Sequence, residues 1–316
     1  MKKRILGYYV NKSKYYIPGD DLTHLNYCFL EVSDDGSLIL NDNPFEINKL
    51  KYECPHLKVG FSISSSNLPS ICSNKVKRNK LVLDCISIAK KHNFFDYIDI
   101  FWYNSFTSDN GILLTFFIIE LKKALRMYPH CKITLSAPID IGSIDSMKLD
   151  IIAKHISSFN LISFDYMDEE EIVKYNSSIW GRRGIDRIVK YYIECGVPSD
   201  KIIICCSLIG KEYYGIKGFN KEYRNKKDIE YKYIEKKNMK WDYEVGANFT
   251  FDKENNIFIT FDNLRSLKEK IKYIESMKLG GISFWGIEGD TKENSMIHSA
   301  NQLIDDADVS LAFKTN

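Results

Sequence analysis

The sequence predicts an α/β protein, a (β/α)8 TIM barrel with a short insertion between its seventh and eighth strands. Three observations carry this. Eight short runs rich in β-branched and aromatic residues recur along the 316 residues, and longer amphipathic patterns separate them. Several of the runs are apolar at nearly every position, as parallel strands covered on both faces must be. The alternation excludes all-α and all-β folds. A doubly wound open sheet is the remaining alternative, but no glycine-rich phosphate loop follows the first run to support it.

In chain order the strand candidates are ILGYYV (5–10), HLNYCFLEV (24–32), LKVGFSI (57–63), YIDIFW (97–102), KITLSA (132–137), LISFDY (161–166), KIIICCSL (201–208) and GGISFW (280–285). Residues 76–93 place Leu81, Val82, Cys85, Ile88 and Ala89 at helical spacing, and residues 111–127 do the same with Leu114, Phe117, Ile118 and Leu121. A helix over 266–278 is expected to start on Ser266 with Glu269 in a capping box, and Gly196 followed by Pro198 marks a helix end. Residues 212–256 are polar and rich in Tyr and Lys, break the period, and are read as the insertion. Residues 1–316 therefore read as one barrel domain without a linker.

Net charge is +2, from 44 basic and 42 acidic residues, so no global field draws nucleic acid or an anionic membrane. The basic run at Arg224, Lys226 and Lys227, followed by Asp228 and Glu230, is expected to be a solvated loop. No apolar run reaches the ~18 residues of a membrane span, and the polar residues of ILGYYVNKSKYY interrupt any leader after MKKR. The chain is expected to be soluble and made in the cytosol. None of the eight cysteines has a CxxC or Cys/His metal spacing, so reduced core thiols are expected, with no metal and no cofactor. A Cys54–Cys72 bridge is the alternative for an exported protein.

In a barrel, the C-terminal strand ends and the loops after them build the site. Here those positions include Tyr8 and Tyr9, Phe29, Ser64 and Ser65, Phe101 to Tyr103, Ser136, Asp165 and Tyr166, Ser207 and Ile209, and Trp285, so aromatics dominate and titratable groups are few. The stretch FFDYIDIFWYNS (94–105) brings Asp96 and Asp99 toward a strand end and then supplies only rings.

Three segments resemble glycoside hydrolase family 18, the chitinases and chitinase-like lectins. They are GYYVNKSKYYIPGDDLTHLNYCFLEV (7–32), GVPSDKIIICCSLIG (196–210) and ITFDNLRSLKEKIKYIESMKLGGISFWGIEGD (259–290). The resemblance covers almost the whole chain and implies the same barrel. The family signature, DGxDxDxE, laid on DYIDIFWYN, keeps Asp96 and Asp99, but its third acid is Phe101 and its general-acid glutamate is Tyr103. Other departures are SISSS (62–66), which lacks the family's glycines, Phe164 for a tyrosine beside Asp165, Ile209 for the tyrosine of the seventh strand, and Lys12 for an early tryptophan.

The resemblance implies substrate-assisted cleavage, in which the sugar's acetamido group attacks while a glutamate protonates the leaving oxygen. A phenol near pKa 10 is about four units weaker than a tuned acid near 6, a loss of roughly 5 kcal/mol of proton-transfer driving force. Phe101 can neither orient the acetamido group nor support the charge that forms. The expectation is a pseudoenzyme with no catalytic residue. Tyr8, Phe29, Phe101, Tyr103, Asp165 and Trp285 then form a site for chito-oligosaccharides or other N-acetylglucosamine glycans. The same rings also fit a filled, closed mouth, leaving the barrel as a scaffold for a protein partner. A third reading is a glycosidase with relocated acids, using Asp109 or the run Asp168–Glu171. Family relatives are mostly exported, which leaves secretion open.

Overall fold

A computed structural model describes residues 3–10, 17–40, 45–102, 108–137, 139–164, 171–234, 238–292 and 295–314. Its eight parallel barrel strands are β1 (Arg4–Tyr9), β2 (His24–Val32), β3 (Lys58–Ser64), β4 (Tyr97–Phe101), β5 (Lys132–Ala137), β6 (Ser158–Leu161), β7 (Ile202–Ser207) and β8 (Gly281–Trp285). Each pairs with its neighbour in order, and β1 pairs with both β2 and β8, which closes the ring. The (β/α)8 barrel read from the sequence is the architecture found.

Helices cover the outside. The largest are Lys75–Lys91, Ser108–Ala124, Ile185–Glu194, Leu264–Ser276 and Met296–Lys314. Leu81, Cys85, Leu114, Phe117, Ile118 and Leu121 are fully buried between helices and strands, as their spacing requires. The helix expected at 266–278 begins earlier. Asn263 is its N-cap, accepting from the amides of Arg265 and Ser266, while Ser266 Oγ accepts from the Asn263 amide. The capping box is real, but Ser266 is its inner member and not its cap.

Between β7 and β8 lies a five-stranded antiparallel sheet, in spatial order Asn225–Glu230, Ile209–Tyr214, Ile257–Phe261, Ala247–Asp252 and Lys240–Asp242. It is wider than the stretch 212–256 read as the insertion. The basic run expected to be a solvated loop is instead an edge strand of this sheet. Where the sheet ends, Asp262 meets the fully buried Lys270, whose Nζ donates to both carboxylate oxygens at 2.6 Å and to Ser177 Oγ at 2.7 Å. Burial alone would lower the Lys270 pKa, but the Asp262 charge outweighs it and raises it. The pair fastens the sheet, the helix after it and the segment after β6 together.

All eight cysteines are free, so the Cys54–Cys72 bridge is not formed. Burial pushes the thiols of Cys72 and Cys131 up to about 12. No helix among the described residues is long and apolar enough to cross a membrane.

Candidate functional site

The site is read most simply along β4, which is buried throughout. Alternate residues Tyr97, Asp99 and Phe101 face the barrel interior, while Ile98, Ile100 and Trp102 pack in the helical shell. Trp102 is thus fully buried away from the mouth. Asp96 precedes the strand at the opposite end of the barrel, bridged to Lys51 and to Lys58 (3.2 Å) and accepting from the Val59 amide at 2.9 Å. Burial works to raise its pKa, but the Lys51 hydrogen bond, the Val59 amide and the two ammonium charges outweigh it and hold the carboxyl below its ordinary value.

Asp99 sits in mid-barrel. Its oxygens accept from Thr134 Oγ1 (2.6 Å), Ser62 Oγ (2.7 Å), Ser136 Oγ (2.8 Å) and Asn160 Nδ2 (3.3 Å). Ser62 and Thr134 are its register partners on β3 and β5, so the strand pairing itself supplies two of the donors. Because Ser136 spends its proton on Asp99, Tyr8 donates to Ser136 Oγ, at 2.6 Å. Burial raises the Asp99 pKa against the pull of these bonds. A carboxylate so fully occupied and out of contact with solvent is a structural group.

One layer above, the rings take over. Phe101 is 7% exposed, and its ring lies 4.9 Å from Phe29 and 5.4 Å from Trp285, centroid to centroid. Trp285 also touches Tyr8 (5.2 Å), Phe164 (5.6 Å) and Phe29 (6.1 Å). Phe29 reaches this cluster through a bulge. The β2–β3 register steps from Tyr27↔Phe61 to Leu30↔Ile63, so the extra residue lets Cys28 and Phe29 both join the interior cluster. Phe29 and Trp285 are half-buried and keep ring surface toward solvent.

These rings, with Ile162, Ile209, Lys211 and Asp228, line a cavity of about 260 Å³. Lys211 Nζ donates to Asp228 Oδ1 at 2.6 Å. Of the residues expected here, Phe29, Phe101 and Trp285 line the cavity. Tyr8 does not: it is fully buried beneath Trp285 with its hydroxyl committed to Ser136. Tyr103 and Asp165 lie outside the described residues. Lys211 and Asp228 were not anticipated: both lie on the insertion sheet, Lys211 just before the stretch 212–256 read as the insertion and Asp228 in the run read as a solvated loop.

Among the acids weighed as relocated catalysts, Asp109 is exposed in the first turn of helix Ser108–Ala124, and Glu171 is exposed. The acids at 168–170 lie outside the described residues. A larger recess, about 460 Å³, sits on the outer flank between the β1–β2 connection and the last helix, lined by Pro18, Asp21, Ile287 and His298 among others. His298 Nδ1 lies 2.8 Å from Asp21, and Asp290 accepts from the amides of Met296 and Ile297, so its charged groups tie the helix down. Barrel sites form at the strand ends, so the smaller mouth cavity is the candidate.

The Glycosyl hydrolases family 18 model matches residues 4–290. This chain belongs to that family. Its relatives include endochitinase 1 of Metarhizium anisopliae, 22% identical over 340 residues that cover 91% of this chain and 80% of that protein. Two solved family structures superpose closely. Human YKL-39, described as a pseudo-chitinase with retained chitooligosaccharide binding properties, has a TM-score of 0.83 at 20% identity, covering 96% of this chain and 100% of that one. The chitinase-like agglutinin of Robinia pseudoacacia has a TM-score of 0.83 at 17% identity, covering 95% and 99%. At these identities the likeness establishes the shared barrel.

Proposed function

We propose that this family 18 protein is catalytically inactive and binds sugar, as a chitinase-like lectin. The observation that carries the proposal is Phe101 at the C-terminal end of β4, where the family signature places its third acid. Its ring is packed into the Trp285 cluster, and a hydrocarbon ring can neither accept a hydrogen bond from an acetamido group nor balance the charge that develops on it. The sequence places Tyr103 at the general-acid position, and a phenol holds its proton too tightly for that role near neutrality.

The binding half of the proposal rests on the half-buried faces of Trp285 and Phe29 over a cavity edged by a charged pair. Such faces stack on the apolar face of a pyranose while polar edge groups meet its hydroxyls. The names of YKL-39 and of the Robinia agglutinin support a family barrel that holds glycan without a chitinase role. The test is paired. Purified protein is titrated with chito-oligosaccharides and assayed on a fluorogenic chitobioside. Binding with no turnover is expected, and turnover that survives removal of contaminating enzymes sinks the proposal. The scaffold reading draws on one observation, the exposure of Tyr233 (70%) and Tyr243 (79%) on the insertion, and a co-purifying partner without sugar affinity would favour it.

A further inference from the structure

We infer that the mouth selects neutral pyranoses over acidic ones, with Asp228 as the selecting group and Lys211 as the residue that positions Asp228. This rests on the sugar-binding reading above and names its ligand more narrowly. The cup, about 260 Å³ and open to solvent, has apolar walls and a polar edge. Phe101 and Phe164 fill the floor, so what the described walls enclose is a short cup.

The polar edge is what discriminates. Lys211 and Asp228 face each other as register partners on adjacent antiparallel strands of the insertion sheet. Their exposure is unequal: the Lys211 side chain is 9% exposed and that of Asp228 is 62%. The ammonium is therefore the buried anchor, and the carboxylate is held out at the edge of the cup. Lys211 takes Oδ1, and Oδ2 has no hydrogen-bond partner among the described residues. A carboxylate only accepts, so its complement is a hydroxyl donor or an adjacent pair of them. A ligand with an apolar face for Trp285 and hydroxyl donors at its rim is a pyranose. A uronic acid would set carboxylate against carboxylate, so a charged sugar is disfavoured.

The experiment is a ligand-observed NMR titration of the full chain with N-acetylglucosamine, its dimer, its tetramer and glucuronic acid, repeated on Asp228→Ala, Asp228→Asn, Lys211→Met and Lys211→Arg. Asp228 lies exposed on an edge strand, so its variants keep the fold, which circular dichroism checks. Glucuronic acid is expected to bind about tenfold or more weakly than N-acetylglucosamine. Asp228→Ala loses about tenfold or more, and Asp228→Asn loses less. Lys211→Met weakens neutral-sugar binding, and Lys211→Arg restores it. Glucuronic acid that binds as well as N-acetylglucosamine, or affinity that ignores Asp228→Ala, overturns the inference and leaves sugar binding standing. Silence with every sugar overturns both.

Discussion

Asp99 and Phe101 stand two residues apart on one strand and face the same interior, yet the layers they belong to differ in kind. Around Asp99 four donors meet the two carboxylate oxygens, and the strand register supplies two of them. Around Phe101 the contacts are ring on ring, and the upper rings keep faces toward solvent. A layer that satisfies itself needs no ligand and gains nothing by changing. A layer of half-covered rings is where a ligand finds surface. An acid kept from the family signature is thus a sign of barrel architecture, and the positions above it carry the information about chemistry.

The sharpest way to break this contrast is Trp285→Ala. It strips the ring that touches Tyr8, Phe29, Phe101 and Phe164, and should lower unfolding free energy by about 3 kcal/mol in urea while abolishing any sugar signal. Asp99→Ala tests the other layer. It leaves the Ser62, Thr134, Ser136 and Asn160 donors without their acceptor and should cost about 2 kcal/mol, but sugar affinity should hold. A loss of affinity with stability intact would show that the two layers are coupled.

Titration separates the two acids of β4 and its approach. Asp99 has its pKa raised in the fold, so its contribution is full below the unfolded carboxylate value and is lost as pH rises through the folded one. Asp96 has its pKa lowered, so its contribution is full above the unfolded value and is lost as pH falls through the folded one. Asp99→Asn should therefore flatten the decline in stability above the ordinary carboxylate pKa, and Asp96→Asn the decline below it. Melting temperature against pH for both variants checks this, and identical profiles would refute it. The smallest expected effect is Tyr103→Glu, which should leave chitobioside turnover undetectable while Phe101 remains. Clear turnover from that single change would mean that Phe101 is no obstacle.

Much of the fold was legible because parallel strands covered on both sides must be apolar throughout, and eight such runs alternate with helical patterns. The sixth strand was displaced. Ile162 and Phe164 alternate like strand residues, yet the ladder ends at Leu161 and both side chains join the interior cluster at the mouth. Filling a barrel mouth and building a strand impose the same alternation, so periodicity cannot separate them. Strand-end counting placed Phe29, Phe101 and Trp285 correctly in the cavity wall, but it could not see that Tyr8 would be spent on Ser136. Asp228 was hidden for a different reason. A carboxylate in a basic run looks solvated until the sheet that lifts it to the cup is known.

Strand β8 is the keystone of the ring, since residues 281–285 pair with β1 on one side and β7 on the other. A chain emerging from the ribosome therefore carries two open sheet edges until Trp285 has cleared the exit tunnel. The Trp that lines the cup and the strand that seals the barrel arrive together, so in a nascent molecule the mouth is not lined before the ring can close.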